Sequence, residues 1–144
     1  MINEVMAGIT DALNEEFGDN FEIYKEASMQ DMEEPAFFVR CLTPESRRQL
    51  GERRKMDLLF AIQYFPESQS PKQEINEVFE RLAICLDLIS VDDKKVRGVV
   101  ECKNISEDVL TATVQYTLFV SRRETGDSME DYEMKGEVKN GDRN

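Results

Sequence analysis

Chemistry in this chain would have to come from carboxylates, cysteines or a short basic run, because the sequence contains no histidine. That absence removes the commonest metal ligand and the usual general base near neutral pH. The carboxylate pairs Glu15-Glu16 and Glu33-Glu34 carry the oxygen ligands that a hard cation takes. Adjacent acids decorate a helix surface or a loop, however, and no metal site is expected from them. Cys41, Cys85 and Cys102 are odd in number and far apart, with no C-x-x-C pair. They suggest neither a disulfide framework nor a zinc set, and they fit a reducing cytoplasm. Cys85 and Cys102 fall on or beside apolar faces, so both are expected to be buried and inert. The sequence has no phosphate-cradling glycine loop and no G-x-S-x-G elbow. Neither an enzyme nor a cofactor is expected.

The basic run is the more suggestive feature. Residues 43–55 read Thr-Pro-Glu-Ser-Arg-Arg-Gln-Leu-Gly-Glu-Arg-Arg-Lys, setting Arg47, Arg48, Arg53, Arg54 and Lys55 against Glu45 and Glu52. The whole chain carries 18 Lys and Arg against 30 Asp and Glu, a net charge of −12. Such a surface repels nucleic acid and anionic membrane, and suits a basic partner or a role that demands solubility. A cationic projection on an acidic body is either a solvated loop or an arm that reaches an acidic neighbour, another copy of the chain included.

The element that must position this run is a hairpin. Residues 56–66 alternate Met56, Leu58, Phe60, Ile62 and Tyr64 with Asp57, Leu59, Ala61, Gln63 and Phe65, a central strand ended by Pro66. Residues 36–42 give its partner, with Phe37, Val39 and Cys41 on one face. The polar, Gly-containing stretch between them reads as a hairpin loop, longer than the usual two to five residues. A short strand around Phe21, Ile23 and Lys25 belongs near an edge, because charge recurs in it. Two further strands cover residues 96–105 and 109–120. The last points Leu110, Ala112, Val114, Tyr116, Leu118 and Val120 inward and Thr111, Thr113, Gln115 and Thr117 outward. One apolar and one polar face marks an antiparallel sheet covered on a single side.

Two helices supply the cover. Ile2, Val5, Met6, Ile9, Ala12, Leu13 and Phe17 fall at helical spacing, and Gly18 stops the helix. Ser70-Pro71 opens a second helix over residues 71–89, with Ile75, Val78, Phe79, Leu82, Ala83, Leu86 and Ile89 as its core stripe. Ile84 and Leu88 break that stripe about one turn apart on the opposite face. They meet either the first helix or the C-terminal tail, or a neighbouring subunit.

The 144 residues, 33% charged and 40% hydrophobic, suffice for one domain with a real core. The expected fold is α+β: a two-layer, mostly antiparallel five-stranded sheet with two helices on one face, in the order αβββαββ, over residues 1–123. Residues 124–144 form an acidic tail with too few apolar groups for a core, unstructured until bound. The alternative there is a short strand around residues 132–138, added to a neighbouring sheet. The N-terminus carries Glu4 and Asp11 and lacks the basic and apolar regions of a signal peptide. No apolar stretch approaches membrane-spanning length.

Three stretches carry a family resemblance: Ala12-Leu13-Asn14-Glu15-Glu16-Phe17-Gly18, Glu33-Glu34-Pro35-Ala36-Phe37-Phe38-Val39 and Ile62-Gln63-Tyr64-Phe65-Pro66-Glu67. Over roughly residues 1–120 the sequence resembles the tail terminator (tail completion, head-to-tail joining) proteins of long-tailed phages and prophages of Gram-positive bacteria. The resemblance implies a ring, typically a hexamer, that caps the tail tube, halts its polymerisation and meets the head completion complex. Its partners would be further copies of itself, the tail tube protein and a head completion or connector protein, with DNA only passing through the lumen. It would reside in the virion at the tail–head junction, and in the bacterial cytoplasm before assembly. On this reading Arg47, Arg48, Arg53 and Arg54 form an assembly arm and Ile84 and Leu88 a buried seam, while Thr111, Thr113, Gln115 and Thr117 line the lumen. Acidic chains of this size and element order also resemble type III secretion chaperones, dimers that hold an unfolded effector segment.

Overall fold

The computed structural model describes residues 1–25, 33–122 and 132–135. Its elements are α1 (Ile2–Phe17), β1 (Glu22–Tyr24), β2 (Ala36–Arg48), β3 (Arg53–Phe65), α2 (Pro71–Cys85), β4 (Leu88–Val91), β5 (Lys94–Ser106), β6 (Val109–Arg122) and β7 (Tyr132–Lys135). Six strands lie in the order β1-β2-β3-β6-β5-β4, and β7 pairs with β6. All pairs are antiparallel except β1 with β2, which is parallel. The fold is α+β, with seven strands among the described residues where five were expected.

β3 is central because both of its neighbours pair along nearly its whole length. Its Leu58, Phe60, Ile62 and Tyr64 are fully buried with Phe37 and Val39 of β2 and the even-numbered apolar residues of β6. From the helices, Val5, Ile9, Leu13 and Phe17 of α1 and Ile75, Val78 and Leu82 of α2 complete this core. Among the described residues no helix lies on the opposite sheet face. The period-two pattern therefore gave the faces correctly, since a strand with one buried side must alternate.

Two expectations fail at the strand ends. Residues 43–55 are not a loop: β2 and β3 stay paired out to Arg48 opposite Arg54, leaving a four-residue turn with Gly51 at φ 70°. Nor does the second helix reach residue 89. It stops at Cys85, and Leu88–Val91 is β4, with Ile89 and Val91 buried. Leu86 and Ile89 fit a helical stripe and a strand face equally well, and a short apolar run cannot separate the two. The deciding signal is Asp92-Asp93, both at positive φ, a two-residue turn of the kind that joins hairpin strands. Glu107-Asp108 makes the same turn between β5 and β6.

Two glycines mark close approaches. A Cβ on Gly8 would come within 2.6 Å of the Ser90 carbonyl oxygen, so α1 lies directly on β4. A Cβ on Gly98 would come within 2.5 Å of the Tyr116 ring, whose hydroxyl donates to the Leu86 carbonyl at 2.7 Å.

β5 pairs with β6 only from Gly98 onward, its first residues having turned aside to pair with β4. β7 takes the stretch of β6 beyond, with Val120 opposite Met134. The short strand anticipated over residues 132–138 thus adds to the chain's own sheet over Tyr132–Lys135. The remaining positions of the acidic tail lie outside the described residues.

Candidate functional site

The basic side chains anticipated as an arm sit on the outer ends of β2 and β3, and every residue from 42 to 54 is exposed. Strand alternation divides them. Arg48 and Arg54 face the helix side as a cross-strand pair, while Arg47 and Lys55 pair on the open side, next to Arg53. Like charges directly opposite each other weaken a ladder. Little in the described residues relieves them: Arg47 reaches Glu45 at 3.5 Å, Arg54 donates to Ser46 at 3.5 Å, and Arg53 lies over the Phe119 ring. At the turn, Leu50 is 91% exposed. On the inner side β6 backs the arm up to Arg53 opposite Ser121. Its outer side is the edge of β2, which carries a bulge at Leu42 and a proline at Pro44. Both devices discourage another strand from adding there.

Ile84 and Leu88 do not share a helix face, because Leu88 belongs to β4. The structure nevertheless brings both to one groove of about 360 Å³, between the middle of α1, the end of α2 and β4. Ile84 is 77% and Leu88 38% exposed. Asp11, Glu15 and Glu16 of α1 rim the groove, with Lys95 across from them. Arg81 ties Glu16 at 2.9 Å and stacks on Phe17, and Lys95 donates to Ser90 at 2.8 Å. Asp11 and Glu15 have no ion-pair partner among the described residues.

Thr111, Thr113, Gln115 and Thr117 of β6 face the side of the sheet opposite α1 and α2, far in sequence from the arm but on a strand paired with β3. Gln115 is exposed, Thr111 and Thr117 are half-buried, and Thr113 is buried. Thr117 donates to Asp57 at 2.6 Å, and Gln63 donates to Thr111 at 3.5 Å. The face is therefore polar along β6, with Asp57 and Glu101 beside it and Leu59, Phe65 and Phe119 half-buried among these groups.

A larger hollow, about 700 Å³, lies between Phe21, Pro35, the turn after β3 and the start of α2. Its polar centre is Glu74, which accepts from the Tyr64 hydroxyl and from the backbone N–H groups of Ser68 at 2.9 Å and Glu67 at 3.2 Å. Burial pushes the Glu74 carboxyl up, but the hydrogen bonds from Tyr64, Ser68 and Glu67 outweigh it and hold the group below its ordinary value. Burial, reinforced by Glu74, pushes the Tyr64 hydroxyl well up. An acid that stays ionised beside a phenol that stays protonated has no proton to exchange near neutral pH. Glu74 instead braces the loop into α2, a task expected of the Ser70 side chain, which makes no capping bond.

Cys85 is half-buried, and burial followed by Glu16 pushes its thiol up to about 12, so it is no nucleophile at neutral pH. Cys102, expected inside, is exposed, because β5 bulges beside it where the strand runs out past the helices. Among the described residues no three His, Cys, Asp or Glu side chains group as metal ligands would, and no helix is long and apolar enough to cross a membrane.

The three stretches that carry the family resemblance meet at one corner. Phe17 at the end of α1, Phe37 at the start of β2 and Tyr64 at the end of β3 pack with Phe21, at ring separations of 4.8 Å for Phe17 with Phe37 and 4.9 Å for Phe37 with Tyr64. They hold the fold together at the meeting of α1, β2 and β3. A family model described as phage tail terminator protein matches residues 4–128. The chain belongs to the phage tail terminator family. No curated protein matches it. Membership gives this tail terminator a structural role in completing the phage tail, in association with other tail or head components of the virion. It also favours that role over a secretion chaperone. The match runs through the whole helix-covered domain and ends at residue 128, before β7.

Proposed function

We propose that the chain caps the finished tail tube as a ring of its own copies, a hexamer in the form typical of the resemblance, stops tube growth and offers its far rim to the head completion or connector protein. It acts by docking, without catalysis or cofactor, at the tail–head junction after assembly from a cytoplasmic pool. The observation that carries the self-assembly is the arm. Arg48 stands opposite Arg54 and Arg47 opposite Lys55 on an exposed ladder of an otherwise acidic protein. The isolated chain gains nothing from these pairs, whereas an acidic surface on a neighbour turns all four charges to use. The hydroxyl and amide groups of Thr111, Thr113, Gln115 and Thr117 suit a lumen, since they themselves offer DNA phosphates no cation, while Arg47, Arg53 and Lys55 on the same open side lie at the arm end of the face.

The test is the solution mass of the purified chain, alone and with tail tubes, by light scattering and negative-stain imaging. A closed ring with a central opening, bound at tube ends that then stop growing, is expected. A chain that stays monomeric under both conditions, or leaves tube ends free to grow, overturns the reading.

A further inference from the structure

We propose that the arm of one copy seats in the groove between α1, α2 and β4 of the next, with Leu50 on the Ile84–Leu88 wall and the arm's arginines against Asp11 and Glu15. The inference rests on the ring reading and names the two surfaces that would close it.

Chemistry matches the two surfaces part by part. The arm ends in an apolar side chain almost wholly in solvent and is flanked by cations. The groove has an apolar wall, Ile84 and Leu88, beneath an acidic rim in which Asp11 and Glu15 are unpaired among the described residues. Lys95, bonded to Ser90 in the same groove, opposes the match with one positive charge against the two negative charges of Asp11 and Glu15. β6 backs β3 out to Arg53, and Ser46 and Arg54 line a hollow with Met1 and Glu4, so what enters the neighbour is the turn at residues 49–52 with its flanking arginines.

The contact must be between copies. A separate hollow under the arm is lined by Met1, Glu4, Ser46 and Arg54, placing the arm beside the start of α1. The groove lies further along the same helix, and the arm itself is exposed throughout. Arm and groove are different patches of one surface, so in the ring reading their union repeats head-to-tail, the kind of contact that closes a ring; a reciprocal pair would stop at a dimer. Side chains carry the contact, because the bulge and Pro44 spoil the β2 edge for strand addition.

The test is charge reversal on each surface and on both. Four full-length chains are compared for ring mass across concentration and salt: the parent, Arg53→Glu/Arg54→Glu, Asp11→Arg/Glu15→Arg, and all four substitutions together. Each single-surface reversal is expected to raise the concentration at which rings dissociate by about a hundredfold, and the combined chain to recover most of that loss. Melting curves exclude misfolding, since all four positions are exposed. A fifth chain, Leu50→Asp, is expected to weaken rings with an unchanged melt. Rings insensitive to every reversal, or no recovery in the combined chain, overturn the pairing while the ring reading survives. A parent that never exceeds monomer mass defeats both.

Discussion

The two halves of the β2–β3 hairpin have the same backbone geometry and opposite surroundings. In the inner half, Phe37, Val39, Phe60, Ile62 and Tyr64 are buried beneath the helices. In the outer half, the paired residues from Ser46 to Arg54 face water, and their closest cross-strand neighbours include like charges. Ordering a residue costs roughly 1–2 kcal/mol of chain entropy. The inner half offsets that by removing aromatic surface from water. The outer half has no such return within the monomer beyond its backbone pairing with β6. A stretch held in shape without burial of its own is what a docking element looks like before its partner arrives.

This contrast can be broken by substitutions on either side of it. The largest effect belongs to the inner half: Phe60→Ala leaves a void at a fully buried position and should cost about 3–5 kcal/mol in urea unfolding. If it costs no more than a surface change, the inner half is not the core it appears from burial. Next comes Glu74→Gln, at the point where the inner half passes into α2. Glu74 titrates below its ordinary value in the folded chain, so the stability it adds is present above the unfolded value of 4.5 and is lost as pH falls through the lowered one. The variant should therefore be less stable at neutral pH and show a flatter loss of stability in acid. An unchanged acid limb in pH-dependent unfolding would remove Glu74 from this role. The smallest effect has the opposite sign. Arg48→Glu turns a like-charge rung into an ion pair with Arg54 and should stabilise the monomer by about 0.2–1 kcal/mol, while weakening rings. A destabilised monomer in thermal melts would show that Arg48 serves the fold rather than its neighbours.

Where periodicity and punctuation agreed, the sequence was enough. Helix α1 spans Ile2–Phe17, since its apolar stripe and Gly18 point to the same ends. The alternation along β6 likewise set which groups face each side. It was not enough where one pattern served two structures. Leu86 and Ile89 continue a helical stripe and also flank a strand, and only the Asp92-Asp93 turn shows which prevails. The strands of the arm were hidden for a different reason. Exposed on both faces, they have no apolar alternation to betray them, and their polar composition reads as loop. The groove could not be read at all, because Gly8, Ile84 and Leu88 come from three elements whose meeting is a property of packing. Ile84 and Leu88 were nonetheless identifiable as surplus apolar residues. Cys102 was misplaced because its position on an inward face says nothing about whether the sheet there is still covered.

Among the described residues the helices clothe one side of the sheet and leave the other bare. A molecule so lopsided cannot be turned over without exchanging two unlike surfaces, and copies related by rotation about a single axis all turn the same way up. In the ring proposed above this unlikeness separates the bore from the outer wall, and the shared orientation of the copies makes the two ends differ, so such a washer would thread onto a tube in one sense only. Direction along the particle axis would then be written into each subunit before any other component is met.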